Sequence, residues 1–165
     1  MSKAGDALAD RILSELSELS TLTGRVRRAW EMVVSRNDDF YLDSVALNLH
    51  GFYSGLERIF ERVASSIDGN VPAGANWHQE LLAQMSREIQ GVRPAVISPE
   101  LKDKLEGYRG FRHVVRHVYS YHLNPAKIKS LVELFPETLK EADAALTAFA
   151  EFLRLLHLTI LQVHG

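Results

Sequence analysis

The chain has 165 residues and no cysteine. That excludes a disulfide framework, a thiolate zinc site and a cysteine nucleophile, and it permits a reducing compartment. No stretch approaches the ~18 uncharged apolar residues a membrane span requires, and Met1 to Leu16 alternates charged and small residues without the apolar core of a signal peptide. A cytoplasmic protein is therefore expected. Sustained alternation of apolar and polar residues is missing as well, which argues against half-buried strands. There is no glycine-rich phosphate loop, no Gly-x-Ser-x-Gly elbow, no supported pair of catalytic carboxylates, no internal repeat and no low-complexity tract.

What the chain does have is a helical period nearly throughout. With 46% hydrophobic and 24% charged residues it is globular in composition, and its length fits one domain over residues 1–165. From about Ala7 to Ser35, the residues Leu8, Ile12, Leu16, Leu19, Leu22, Val26, Trp30 and Val33 recur at steps of three and four. Asn37-Asp38-Asp39 is a turn and capping cluster, and a second helix is expected from Tyr41 to Ile67. Gly51 and Gly55 would each weaken that helix in isolation, so close approach of a neighbouring helix is expected there. Asp68 to Ala75 is a break. A third helix, with Asn76 as N-cap and Gln79 completing a variant capping box, is expected to run to Gly91. Ser98 and Pro99 open a fourth helix that the pattern carries to about His122. The last runs from Pro125 to about Val163 with a break or kink near Phe135, ahead of Pro136. Five amphipathic helices with short connections make an all-α, up-and-down helical bundle the expected fold.

Charge is distributed unevenly. The formal net charge is −2, yet between Glu106 and Glu133 there is no acidic residue while Arg109, Arg112, Arg116, Lys127 and Lys129 all fall there. That window carries +5, which leaves −7 elsewhere. On a helical wheel at about 100° per residue with Arg109 at the origin, Arg112 falls near 300°, Arg116 near 340°, His113 near 40°, His117 near 80° and Tyr119 near 280°. Tyr108, Phe111, Val114, Val115, Val118 and Tyr121 occupy the opposite, core-facing arc. Arginines at such spacing repel each other by a few tenths of a kcal/mol per pair, and the pattern offers no acid on the same face to relieve them. A phosphodiester would, because the guanidinium fork matches it.

Two plainer readings compete with an anion site. The arginines could be solvated, or paired with carboxylates of another helix. His113 and His117 have the four-residue spacing of a helical metal pair, but no acidic residue is close in sequence and the flanking arginines disfavour a cation, so no metal is expected. His50, His78, His157 and His164 read as structural or surface residues.

The stretch Arg112-His113-Val114-Val115-Arg116-His117-Val118-Tyr119 forms the pattern Arg-x4-His-x-Tyr late in a helix of an all-helical bundle. It resembles the HEPN superfamily (higher eukaryotes and prokaryotes nucleotide-binding), and more closely the HepT-like toxins of HepT–MntA toxin–antitoxin systems. Tyr108 to His113 and Gly55-Leu56-Glu57-Arg58-Ile59-Phe60-Glu61 look like that family too, and the resemblance spans about Tyr41 to Leu155. It implies a metal-independent endoribonuclease without cofactor, working as a homodimer whose motif helices face each other across one RNA-binding cleft. Arg112 would hold the scissile phosphate and His117 would transfer protons, with Arg109, His113 and Arg116 as further RNA contacts. Histidine titrates near neutrality and arginine stays charged, so the residue types suit those roles. Tyr119 matches the tyrosine that an MntA-like minimal nucleotidyltransferase antitoxin adenylylates in this family. The position after the motif arginine is often Asn there and is His113 here. Two alternatives stand beside this reading: a non-catalytic HEPN module that binds RNA or a nucleotide, and a helical interaction protein whose basic face docks an acidic partner.

Overall fold

A computed structural model describes residues 2–119 and 122–163, with side chains described for residues 5–119 and 122–156. Five α-helices follow in order: α1 (Ser2–Arg36), α2 (Phe40–Val63), α3 (Trp77–Met85), α4 (Pro99–His117) and α5 (Pro125–Val163). α1 packs along α2 and α5, α2 packs on α4, and the short α3 bridges α2 and α4. The expected all-α bundle is what forms. None of the described helices is long and apolar enough to cross a membrane.

The core follows the helical period. Ile12, Leu16, Leu19 and Val26 from α1 meet Leu49, Phe52, Leu56 and Ile59 from α2, with Phe135, Ala142, Leu146 and Phe149 from α5 closing the layer. An aromatic cluster ties α2, α4 and α5 together: the Phe52 ring meets Tyr108 edge-on at 5.3 Å and Phe135 at 4.9 Å. Such pairs add about 0.5–1.5 kcal/mol beyond burial. The Tyr108 hydroxyl donates to the Leu131 carbonyl at 2.8 Å, and burial pushes its pKa up to about 12.

Several expectations needed correction. The expected close approach of helices occurs at Gly55 alone, where an added Cβ would lie 2.7 Å from the Leu19 side chain in α1; at Gly51 it would meet nothing within 4 Å. α2 ends at Val63 and continues as a π-helical turn, Ala64–Asp68, closed by left-handed Gly69. α3 stops at Met85 rather than Gly91, and no side-chain capping box forms at Asn76. Its backbone is not in the extended conformation a capping side chain needs, and its carbonyl accepts from Gln79 and Glu80 instead. Beyond α3, Ile89 and Arg93 pair backbone to backbone around left-handed Gly91. Arg93 is buried there, gripping Asp68 at 2.6 Å.

α4 begins as expected, with the Ser98 hydroxyl accepting from the Leu101 N–H at 3.0 Å. It ends at His117 rather than His122, because Val118 is extended at φ −126°, ψ 155°. Valines at 114, 115 and 118 hold a helix weakly. The chain must also reverse for Asn124, whose side-chain oxygen caps α5 at the Ala126 N–H, 3.0 Å away. α5 is not broken at Pro136; it is helical across it, and Thr138 donates to the Leu134 carbonyl one turn back.

Candidate functional site

The site is built on α4 against the polar edge of α2. His50, Ser54 and Glu57 fall at steps of four and three, one stripe of α2. Arg112 points into that stripe: its Nε donates to Ser54 Oγ at 3.3 Å, and its Nη2 lies 3.1 Å from Glu57 Oε1. The Glu57 carboxylate is buried, and its second oxygen sits 2.6 Å from His78 Nδ1 at the start of α3. The His78 ring in turn lies 3.6 Å from that of Trp77. A chain Arg112–Glu57–His78 therefore links α4, α2 and α3. A buried carboxylate needs such partners, since leaving it without them costs several kcal/mol.

Two neighbouring groups feel this arrangement. Burial lowers the pKa of His50 below its ordinary value, and the nearby Arg112 and Arg116 lower it further. Burial, followed by the Glu57 charge, pushes the Tyr53 hydroxyl upward.

The basic face is less self-repulsive than its sequence suggests. Arg109 pairs with Glu106 one turn back at 2.6 Å, so an acid does share the face, just outside the acid-free window. Arg112 pairs with Glu57 of another helix. Among the described residues, Arg116 alone of the three lacks a carboxylate partner.

His113 and His117 are exposed, and their rings stack at 4.2 Å. His117 Nδ1 lies 2.7 Å from the His113 carbonyl oxygen. A carbonyl can only accept, so Nδ1 carries the hydrogen in that bond, and in the neutral ring the lone pair is then on Nε2. No group of three or more His, Asp or Glu able to hold a metal occurs among the described residues.

Tyr119 is exposed but leaves the helix, so its wheel position does not apply; its carbonyl accepts from the His122 N–H in the turn that follows. Val114 and Val118, expected in the core, are 41% and 39% exposed. Tyr121 and the side chains of His157 and His164 lie outside the described residues. His50 and His78, read as structural or surface positions, belong to the site, together with Ser54 and Glu57. The spacing of His50, Ser54 and Glu57 along one stripe of α2 was the available signal.

Comparison with known proteins agrees with this architecture. No curated protein matches the chain. A chain of the crystal structure of a mutant toxin–antitoxin pair, MntA–HpeT, superposes with a TM-score of 0.64 at 20% identity, covering 84% of this chain and 98% of its own. At that identity the likeness establishes the fold. A family model described as HepT-like protein matches residues 44–153, well over half of the chain. That range takes in Ser54, Glu57, His78 and all of α4, and the chain belongs to the HepT-like family.

Proposed function

We propose that this chain is the toxin of an MntA–HepT-type toxin–antitoxin system and that it cuts RNA without a metal ion, using Arg112 and His117. The observation that carries the reading is an arginine braced by Ser54 and Glu57, close in sequence to a histidine whose Nδ1–H is fixed on the His113 carbonyl. The brace occupies the Nε and Nη2 edge of Arg112 and leaves Nη1 without an acceptor among the described residues, free to donate to a phosphate oxygen. His117 Nε2 takes the proton of a ribose 2′-hydroxyl. The 2′-oxygen then attacks phosphorus, the bond to the 5′-oxygen breaks, and a second acid protonates that leaving oxygen. Arg112 stabilises the added negative charge of the phosphorane-like state. Arg109, His113 and Arg116 contact the flanking backbone.

A homodimer supplies what one chain lacks. Arg112 and His117 are five residues apart, a rise of ~7.5 Å and about 140° around the axis, so they flank a substrate rather than converge on it. A second copy contributes a second histidine as the acid and a second arginine. Tyr119, exposed beside this face, is the acceptor for AMP: its phenolic oxygen attacks the α-phosphate of ATP bound to an MntA-like antitoxin, releasing pyrophosphate. The resulting phosphodiester adds bulk and negative charge at the mouth of a cationic cleft and excludes RNA. A cytoplasmic location follows from such a role.

The test is RNA cleavage in EDTA by the unmodified protein, His117→Ala and Arg112→Ala. The wild type cuts, and each variant loses about 100-fold or more. Equal cleavage by His117→Ala, or none by the unmodified wild type, overturns the reading. A binding-only HEPN module is favoured by one observation, the carboxylate already on Arg112; it would show salt-sensitive RNA binding with no turnover.

A further inference from the structure

A groove of about 720 Å³ separates the second half of α4 from the first turns of α5. It falls within the ~300–1,000 Å³ range of sites for small organic molecules. Gly110 lies in its α4 wall, where an added Cβ would meet no described residue within 4 Å, so the described residues leave space there. Phe111 and Val114 on one side and Leu123 on the other make the lining mostly apolar, with His122, Asn124 and Ser130 among its polar members and the exposed Lys127 beside them. Lys127 has no carboxylate partner among the described residues. The one acid in the lining, Glu106, is already neutralised by Arg109 at 2.6 Å. An apolar slot with a glycine opening and a free cation at its edge has the chemistry of a flat heterocycle joined to a phosphate.

Its position relative to the motif points the same way. Gly110, Val114 and His117 follow at steps of four and three, forming one ridge of α4 that leads from the groove to His117. Arg112 lies about 160° around the helix from Val114, so its side can face a second subunit while the groove stays on the other flank.

We infer that the α4–α5 groove is a nucleotide subsite, with a nucleobase between Val114 and Leu123 over Gly110 and a phosphate against Lys127. Its use in cleavage rests on the proposed ribonuclease reading. The nucleotide could come from the RNA next to the cut or from AMP carried on Tyr119; the recognition chemistry is the same.

The experiment is calorimetric titration of 5′-AMP and of ribose 5-phosphate into the unmodified full chain, Gly110→Leu and Lys127→Ala. Wild type binds AMP at least ten-fold more tightly than ribose 5-phosphate. Gly110→Leu fills the groove and weakens AMP ten-fold or more without lowering the thermal midpoint, since it replaces a helical glycine where space is open; Lys127→Ala weakens AMP three- to ten-fold. Equal binding of the two ligands, or AMP binding unchanged in both variants, overturns the subsite, and neither outcome depends on whether the protein cuts RNA. Two further arms separate the sources. A lower kcat/KM for RNA in Gly110→Leu assigns the groove to the substrate, whereas unchanged cleavage together with loss of free-AMP binding once Tyr119 is adenylylated assigns it to the modification. No effect in either arm overturns its place in this protein's function.

Discussion

Arg93 and Arg112 are both held by buried carboxylates, Asp68 and Glu57, and they differ in what is left over. Arg93 is wholly buried and uses its full set of donors: Nε and Nη2 on the two oxygens of Asp68, Nη1 on the carbonyls of Arg87 and Pro94, and Nη2 again on that of Gln84. Gln84 adds a bond to Asp68 Oδ2 at 2.6 Å, locking the π-helical turn, α3 and the Arg93 loop together. Arg112 makes one hydrogen bond to Ser54 and one ion pair to Glu57, and part of its guanidinium still reaches solvent. A saturated arginine can only hold a fold. One that is oriented by buried partners and still has free donors can also bind an anion. The surroundings of each explain the split: backbone carbonyls encircle Arg93 in a tight loop, whereas Arg112 crosses between two straight helices whose carbonyls are already spent on their own hydrogen bonds.

The largest effect should come from breaking the saturated cluster. Arg93→Met leaves the buried Asp68 charge with only the neutral amide of Gln84, and chemical denaturation should show a loss of about 3–5 kcal/mol. A loss below 1 kcal/mol would remove the contrast. Arg112→Met should cost only about 1–2 kcal/mol, because Glu57 keeps His78 at 2.6 Å. The same variant should nonetheless reduce RNA cleavage by about 100-fold or more, measured by gel-resolved initial rates. A variant as unstable as Arg93→Met, or one that still cuts, would show that the two arginines are equivalent.

The glycines of α2 sharpen the comparison at a lower energy. Gly55→Val drives a side chain into Leu19, with an expected cost of about 1–3 kcal/mol. Gly51→Ala should stabilise by about 0.5–1 kcal/mol, because nothing lies within 4 Å and a helix interior favours alanine. Thermal unfolding of both variants checks the signs. The smallest effect concerns His50, whose pKa is lowered by burial and by Arg112 and Arg116 and is only partly offset by Glu57. A histidine with a folded pKa below its unfolded one takes up protons preferentially on unfolding, so stability rises with pH through the interval below about 6.5 and falls on acidification. His50→Gln should flatten that dependence between pH 5 and about 6.5 relative to wild type. An unchanged slope would show that His50 is not part of the cationic site.

Much of this was legible in the sequence. Apolar periodicity located all five helices, the Ser98-Pro99 start of α4 needed only local capping chemistry, and the basic face of α4 stood out because no acid follows for 26 residues after Glu106, whereas Arg112 and His117 were singled out within it only by the resemblance to the HepT-like motif. The ends of helices were harder. α4 stops at His117 because a run of valines and the α5 cap compete with it, and the wheel has no term for that competition. The partners of the arginines were hidden for a different reason. Glu57 and His78 are far from Arg112 in sequence, and the only local mark of the buried carboxylate is its place on the stripe of His50 and Ser54, a mark too weak to set it apart from Glu61, half-buried one turn later. Arg93 looked like part of a connecting segment, since its worth lies entirely in tertiary bonds.

The most direct test of the central claim is the chemistry of the cut ends. RNA is incubated with unmodified protein in EDTA, and the products are identified by mass spectrometry. Attack by the 2′-hydroxyl with His117 as base predicts 2′,3′-cyclic phosphate and 5′-hydroxyl termini that vanish with His117→Ala. Products ending in 3′-hydroxyl and 5′-phosphate, or the same products from His117→Ala, would contradict it.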